Sequence, residues 1–252
     1  MIKHFLVIFF VLFQFSMFGQ TERVCTTCGP EGQADNRTFI PVSQRTDTPY
    51  NGVVKLNVKR WIGGAYGTAS AIAKDMLITA NHNVMWDPFL RYLTFTVGDQ
   101  DYFLRKSDYK VYHYHQGLIH KKTKDIAIIK ITNPTKFLPE NTTYFAPSLT
   151  PANDQEYSYT MVGCPCDKQG EFMSKSATQE GVRQDLDSRF LVYPNLYTCT
   201  GDSGAALWYE NNGAYNLVSI HHGKRSFAGL TGSKNAGIKI TQDVLNWIEG
   251  LR

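Results

Sequence analysis

Gly201-Asp202-Ser203-Gly204 stands in front of the apolar run 205–209. It reads as a serine held on a tight turn that feeds a strand. Glycines on both sides let the backbone turn sharply and let a substrate carbonyl approach closely. Such a turn aims the N–H groups of Gly201 and Ser203 at one point, where an oxyanion would form. The tetrapeptide alone is equally a surface turn, because Gly, Asp and Ser are ordinary turn residues. Its meaning depends on the rest of the chain.

Two upstream segments supply that context. Met76-Leu77-Ile78-Thr79-Ala80 is an apolar run ending in Asn81-His82-Asn83, which places His82 where a strand meets a loop. Asp125 opens Asp125-Ile126-Ala127-Ile128-Ile129-Lys130-Ile131, a buried-strand pattern, and so stands at the lip of a core element. A carboxylate against an apolar wall, an imidazole in a loop and a serine on an oxyanion turn are the parts of nucleophilic acyl transfer. They occur in the order His82, Asp125, Ser203, that of chymotrypsin-type enzymes and neither of the two other known orders.

Short apolar or alternating runs recur about every ten residues with turn residues between them, which argues for an all-β sandwich or barrel. Glu210-Asn211-Asn212-Gly213 carries an Asn-Gly hairpin signal between two of these runs. One helix is expected, over 241–251: Thr241 caps it, Asp243 suits its positive end, and Val244, Leu245, Ile248 and Leu251 share a face. Residues 133–152, with three prolines, read as the connection between two barrels.

The first residues read as a secretory leader, 1–20: Lys3 precedes an apolar stretch from Phe5 to Phe18. That stretch is shorter than the roughly 20 residues needed to cross a bilayer, so no stable membrane association is expected after its removal. A short pro-segment, 21–33, and one protease-sized domain, 34–252, follow, with a first barrel over about 34–135 and a second over about 150–240. A formal charge of +4 with scattered basic residues argues against a nucleic-acid partner; the densest cluster, Lys121, Lys122 and Lys124, suits a solvated loop. Five cysteines in an oxidising compartment leave at least one unpaired or bonded to another chain. Cys25 and Cys28 suit a discarded pro-segment, and a bridge from Cys199 to Cys164 or Cys166 would brace a specificity pocket. No metal or other cofactor is expected: His113 and His115 share a strand face but lack a third ligand.

On these motifs the chain resembles chymotrypsin-fold serine endopeptidases, and within them the bacterial glutamyl endopeptidases of the staphylococcal type. Asp35-Asn36-Arg37-Thr38 with Thr46-Asp47-Thr48-Pro49-Tyr50 resembles their opening. Gly163-Cys164-Pro165-Cys166-Asp167-Lys168 resembles their Gly-Tyr-Pro-Gly-Asp-Lys loop, and Ile220-His221-His222-Gly223 their Ile-His-Trp-Gly strand. The resemblance implies two perpendicular six-stranded β-barrels with the active site between them. It implies His82 as general base, Asp125 as its orienting carboxylate and Ser203 as nucleophile in a secreted, monomeric zymogen acting on proteins or peptides. Thr198 and His221 match the residues that bind a substrate glutamate, with trimming near residues 30–35 to expose an amine. Two departures stand out: Asp202 replaces the family's asparagine, and Ala205-Ala206 its Ser-Pro pair. A negative charge at Asp202 would weaken glutamate binding.

Overall fold

The computed structural model describes residues 28–29, 35–61, 63–85, 89–114, 122–152, 157–166, 173–178, 189–193, 196–228 and 230–252. The leader, 1–20, and most of the segment 21–33 lie outside the described residues. Among the described residues, two curled, essentially antiparallel sheets and two α-helices, with short 3-10 turns, make up the fold. Among the described residues no helix is long and apolar enough to cross a membrane.

The first sheet contains β2 (Val53–Arg60), β3 (Gly64–Ala73), β4 (Met76–Thr79), β5 (Leu90–Val97), β6 (Gln100–Arg105), β7 (Tyr109–His113) and β8 (Ala127–Ile131), in the order β6-β5-β2-β3-β4-β8-β7. Its two ends, β6 and β7, are consecutive in the chain and separated only by the turn Lys106–Asp108. One bent strand therefore occupies both edges and the sheet curls on itself, which is the expected six-stranded barrel with one strand broken at a corner.

The second sheet runs β1 (Thr38–Ile40), β11 (Met173–Thr178), β10 (Tyr159–Gly163), β13 (Ala206–Asn211), β14 (Ala214–Ser226), β15 (Ser233–Lys239), β12 (Phe190–Val192). A short β9 (Ala146–Pro147) pairs in parallel with β14. Six strands form the body, and β1 and β9 are additions. The first sheet thus begins at Val53 rather than near 34, because β1 reaches across to pair with β11. The hairpin between β13 and β14 turns at Asn212 and Gly213, both with positive φ, 51° and 78°, as an Asn-Gly two-residue turn requires.

Strands β4, β8, β10 and β12 are buried on both faces, which is why they read as apolar runs, whereas β6 alternates buried and exposed residues. On β8, Ala127, Ile129 and Ile131 fill the interior of the first sheet, while Ile128 faces a second core shared with the other sheet. Val244 and Ile248 of the C-terminal helix α2 (Gln242–Glu249) pack into that shared core, and Thr241 caps the helix through the Val244 N–H. A third core, with Tyr159, Met161, Tyr193, Leu207 and Val218, lies within the second sheet. The layers place the ends of β4, β8 and β14 beside the turn carrying Ser203.

Candidate active site

His82 sits on α1 (Asn81–Val84), a single helical turn directly after β4. Asp125, fully buried, immediately precedes the core residue Ile126. The two are locked by a pair of hydrogen bonds: the His82 backbone N–H donates to Asp125 Oδ1 at 2.8 Å, and ring Nδ1 lies 2.6 Å from Oδ2. Donation from Nδ1–H fixes the ring's tautomer, leaving Nε2 as a base. The imidazole keeps 30% of its side-chain surface exposed while the carboxylate has none.

A second imidazole shares the carboxylate. His222 Nδ1 lies 2.6 Å from the same Oδ2, with its ring edge-on to His82 at 5.9 Å between centroids. Burial pushes the Asp125 carboxyl up, but the hydrogen bonds from His222 and His82 and the charges of both rings outweigh it. Asp125 is held well below the usual carboxylate range. It therefore stays ionised, as a partner for an imidazolium must. His82, Asp125 and His222 are also the group of ligand-type side chains close enough together to hold a metal ion. Each Nδ1 already points at the carboxylate oxygen, so the arrangement is satisfied as a hydrogen-bond network.

The turn carrying Ser203 is braced from both sheets. Thr68 of β3 donates its hydroxyl to the Gly201 carbonyl at 2.8 Å, accepts from Cys164 N–H at 2.9 Å, and donates its backbone N–H to the Ser203 carbonyl at 2.9 Å. Asn83, one residue after His82, adds a bond to the Ser203 carbonyl at 2.8 Å. Gly201 has φ +99° and Gly204 φ +91°, and a Cβ at Gly204 would fall 2.1 Å from the Thr68 carbonyl. Only glycine fits there. Within the turn the N–H groups alternate. Asp202 donates to Cys199 and Gly204 to His221, whereas among the described residues Gly201 and Ser203 have no acceptor for theirs. His82, Gly201 and Ser203 line one cleft of about 320 Å³, together with Arg60, Tyr66 and Thr200.

Asp202 faces away from that cleft. It is buried, its Oδ2 accepts the Cys199 N–H at 2.8 Å, and it packs so tightly on Gly163 that a Cβ there would meet Oδ1 at 2.2 Å. The residue is a brace of its own loop.

Thr198 and His221 are both buried, at 3% and 2% exposure, and gather on β15. The Thr198 hydroxyl bonds the Asn235 side chain at 3.0 Å, and His221 pairs with Gly237. His221 Nδ1 lies 2.5 Å from the Tyr193 hydroxyl. Burial, reinforced by the charges of His222 and His82, pushes the His221 imidazole down to about 3.

The cysteines depart from expectation. Cys199 is bridged to Cys28, not to Cys164 or Cys166, and Cys164 is a buried free thiol. Cys28 also forms a β-bridge with Cys199, and Gly29 N–H donates to the Thr198 carbonyl at 2.8 Å. These contacts seat Cys28 and Gly29 against Thr198 and Cys199, and the Cys199 sulfur is taken by Cys28. Cys28 is thereby covalently tied to the folded domain. Cys25 lies outside the described residues, as does His115. His113 instead bonds the Asn81 side chain.

Sequence reasoning passed over His222, Thr68, Asn83, Tyr193 and Asn235. Only His222 left a usable signal: side chains alternate along a strand, so if His221 faces one way, His222 faces the other.

Two solved structures share the architecture. A Glu endopeptidase in complex with MPD superposes with a TM-score of 0.67 over 86% of this chain and 97% of its own, at 20% identity. The protease Anisep from Arthrobacter nicotinovorans gives 0.61 over 79% and 94%, at 14% identity. Among curated proteins nothing matches. The family model described as Trypsin matches residues 41–248, most of the chain and all of the segments carrying His82, Asp125, Ser203 and His222, and the protein belongs to the trypsin family of serine proteases.

Proposed function

We propose that the protein is a secreted endopeptidase that cleaves peptide bonds through an acyl-enzyme on Ser203, after a Glu or Asp residue. The observation that carries it is the doubly bonded His82–Asp125 pair opening on the same cleft as Ser203 and the two acceptor-less N–H groups of Gly201 and Ser203. In this reading His82 Nε2 takes the Ser203 proton as Oγ attacks the scissile carbonyl carbon. The resulting oxyanion is received by the N–H groups of Gly201 and Ser203. His82, now imidazolium and paired with Asp125, returns the proton to the leaving amine. Water then repeats the sequence on the acyl-enzyme, releasing the acid and restoring Ser203.

The preference after Glu or Asp rests on Thr198 and His221, which present a hydroxyl and an imidazole on one strand's edge and match the positions that bind glutamate in the glutamyl endopeptidases. Secretion rests on the leader at 1–20, synthesis as a zymogen on the segment behind it, and action as a monomer on that family resemblance; protein or peptide substrates are the only partners required. Labelling by a serine-directed phosphonate, absent in Ser203→Ala, tests the catalytic reading. Processed native protein that takes up no label would instead be a catalytically silent binding module. Cleavage of a peptide panel with Glu, Asp, Arg, Phe or Ala before the scissile bond tests the pocket, and a lead for Arg or Phe removes it.

A further inference from the structure

From the hydrogen-bond directions around Thr198 and His221 we infer that the pocket offers a substrate side chain one donor and one acceptor, and so takes glutamine before the scissile bond at least as readily as glutamate. The inference rests on the reading that these two residues face the substrate.

The directions follow from groups whose roles are not adjustable. The Asn235 amide nitrogen lies 2.6 Å from the Leu196 backbone carbonyl, which can only accept, so the amide's NH₂ points there. Its oxygen therefore faces Thr198, and the Thr198 hydroxyl proton is committed to it at 3.0 Å. Only Thr198's lone pairs are left for a ligand. Tyr193 is fully buried, and among the described residues His221 Nδ1, at 2.5 Å, is its hydroxyl's sole partner. A buried O–H left undirected costs about 1–3 kcal/mol, so the phenol donates and Nδ1 accepts. The remaining proton of a neutral imidazole is then on Nε2, for which the described residues provide no partner. Tyr193 is itself held in place by its backbone N–H to the Asn235 carbonyl at 3.0 Å, so one asparagine orients both halves of the pocket.

The ring is neutral. The titratable groups that bear on it are Tyr193, His82 and His222, with Asp202 acting on Tyr193. Tyr193 holds its proton, being pushed well above a phenol's usual value by burial and by Asp202. A neutral Nε2–H beside an acceptor-only Thr198 matches a carboxamide group for group: its carbonyl accepts from His221 and its NH₂ donates to Thr198. A carboxylate has acceptors only, and one of its oxygens would face Thr198's lone pairs.

The test is kcat/KM at pH 8 on peptides differing only before the scissile bond: Gln, Glu, Asp, Ala, Arg and Phe. Gln level with or ahead of Glu, and both ahead of Ala, Arg and Phe, supports the inference. Glu or Asp ahead of Gln overturns it while leaving the pocket assignment standing. A lead for Ala, Arg or Phe defeats the pocket assignment itself. Thr198→Val gives an internal check: loss of the acceptor lowers the Gln-to-Glu ratio about tenfold, and an unchanged ratio overturns the role of Thr198. Nitrogen-15 NMR of His221 between pH 5.5 and 8 reads the ring directly. The neutral Nε2–H form is expected throughout, and an imidazolium or an Nδ1–H form overturns the inference.

Discussion

His221 and His222 are chain neighbours on β14, yet they belong to two regions built on opposite electrostatic principles. At the reaction centre a single buried carboxylate is shared by two imidazoles, His82 and His222, and the network exists to hold a negative charge. On the other face one imidazole, His221, meets a phenol in a buried site, and burial pushes its protonation down to about 3. The first region is arranged so that a proton can arrive and leave; the second is arranged so that none does. One strand supplies both because successive residues project to opposite faces. A bulge in the β14–β15 pairing between His221 and Gly223 lies at the point of divergence.

Breaking the charged region has the largest effect. Asp125→Asn is expected to lower kcat by about 10⁴, the cost of a wrongly held tautomer on the general triad template, measured by steady-state hydrolysis of a preferred peptide. His222 acts through Asp125 and is a positioning residue. A hydrogen bond to a charged group is worth about 1.5–3 kcal/mol, so His222→Ala is expected to cost about 10- to 100-fold in kcat with KM little changed. With one donor fewer, the Asp125 carboxyl rises back toward the usual carboxylate range. His222→Gln, which keeps an N–H donor, restores part of the loss. An unmoved kcat in His222→Ala, or no rescue by His222→Gln, would reduce His222 to packing.

Thr68 lies under the turn between the two regions. Thr68→Val leaves the buried Gly201 carbonyl and Cys164 N–H without their side-chain partner. It is expected to cost about 1–3 kcal/mol of stability, read from denaturant unfolding, together with a fall in kcat as the turn loosens.

The neutral region gives the gentlest signal, in thermal stability against pH. The folded state holds His221 at about 3 against an ordinary 6.5, so below 6.5 the unfolded chain takes a proton that the folded one refuses. Stability is therefore full above that pH and falls on acidification, by at most about 1.4 kcal/mol per pH unit for one proton. Asp125, also depressed, adds its own loss further into acid. His221→Gln is expected to flatten the upper part of this slope and leave the lower part; a slope unchanged in the variant would show that His221 titrates normally.

What the sequence disclosed and what it withheld divide along the same line. The placement of His82, Asp125 and Ser203 around one cleft was legible because each sits in a local context that announces it: a strand end, the mouth of an apolar run, a glycine-flanked turn. The two-sheet architecture was legible because both-face burial writes apolar runs and the Asn212-Gly213 turn writes a hairpin. Thr68, Asn235 and Tyr193 are separated in sequence from the groups they direct, and a threonine, an asparagine and a tyrosine in strands look like any others. Their roles come from pairing across sheets, which no local pattern encodes. The cysteine pairing failed for a similar reason. The expected bridge joined Cys199 to Cys164 or Cys166 as a brace for a pocket, whereas Cys28 reaches Cys199 across a sequence separation of 171.

That bridge bears on how the protein can be matured. A protease that cuts the backbone between Gly29 and Asp35 does not release what lies upstream, because Cys28 remains fastened to Cys199 shortly before Ser203. The product of such a cut is a two-chain molecule, with the short chain still lying against Thr198 as a permanent part of the enzyme. Its N-terminal fragment would part from the body only on reduction, so a gel run with and without thiol tells removal from retention at a glance.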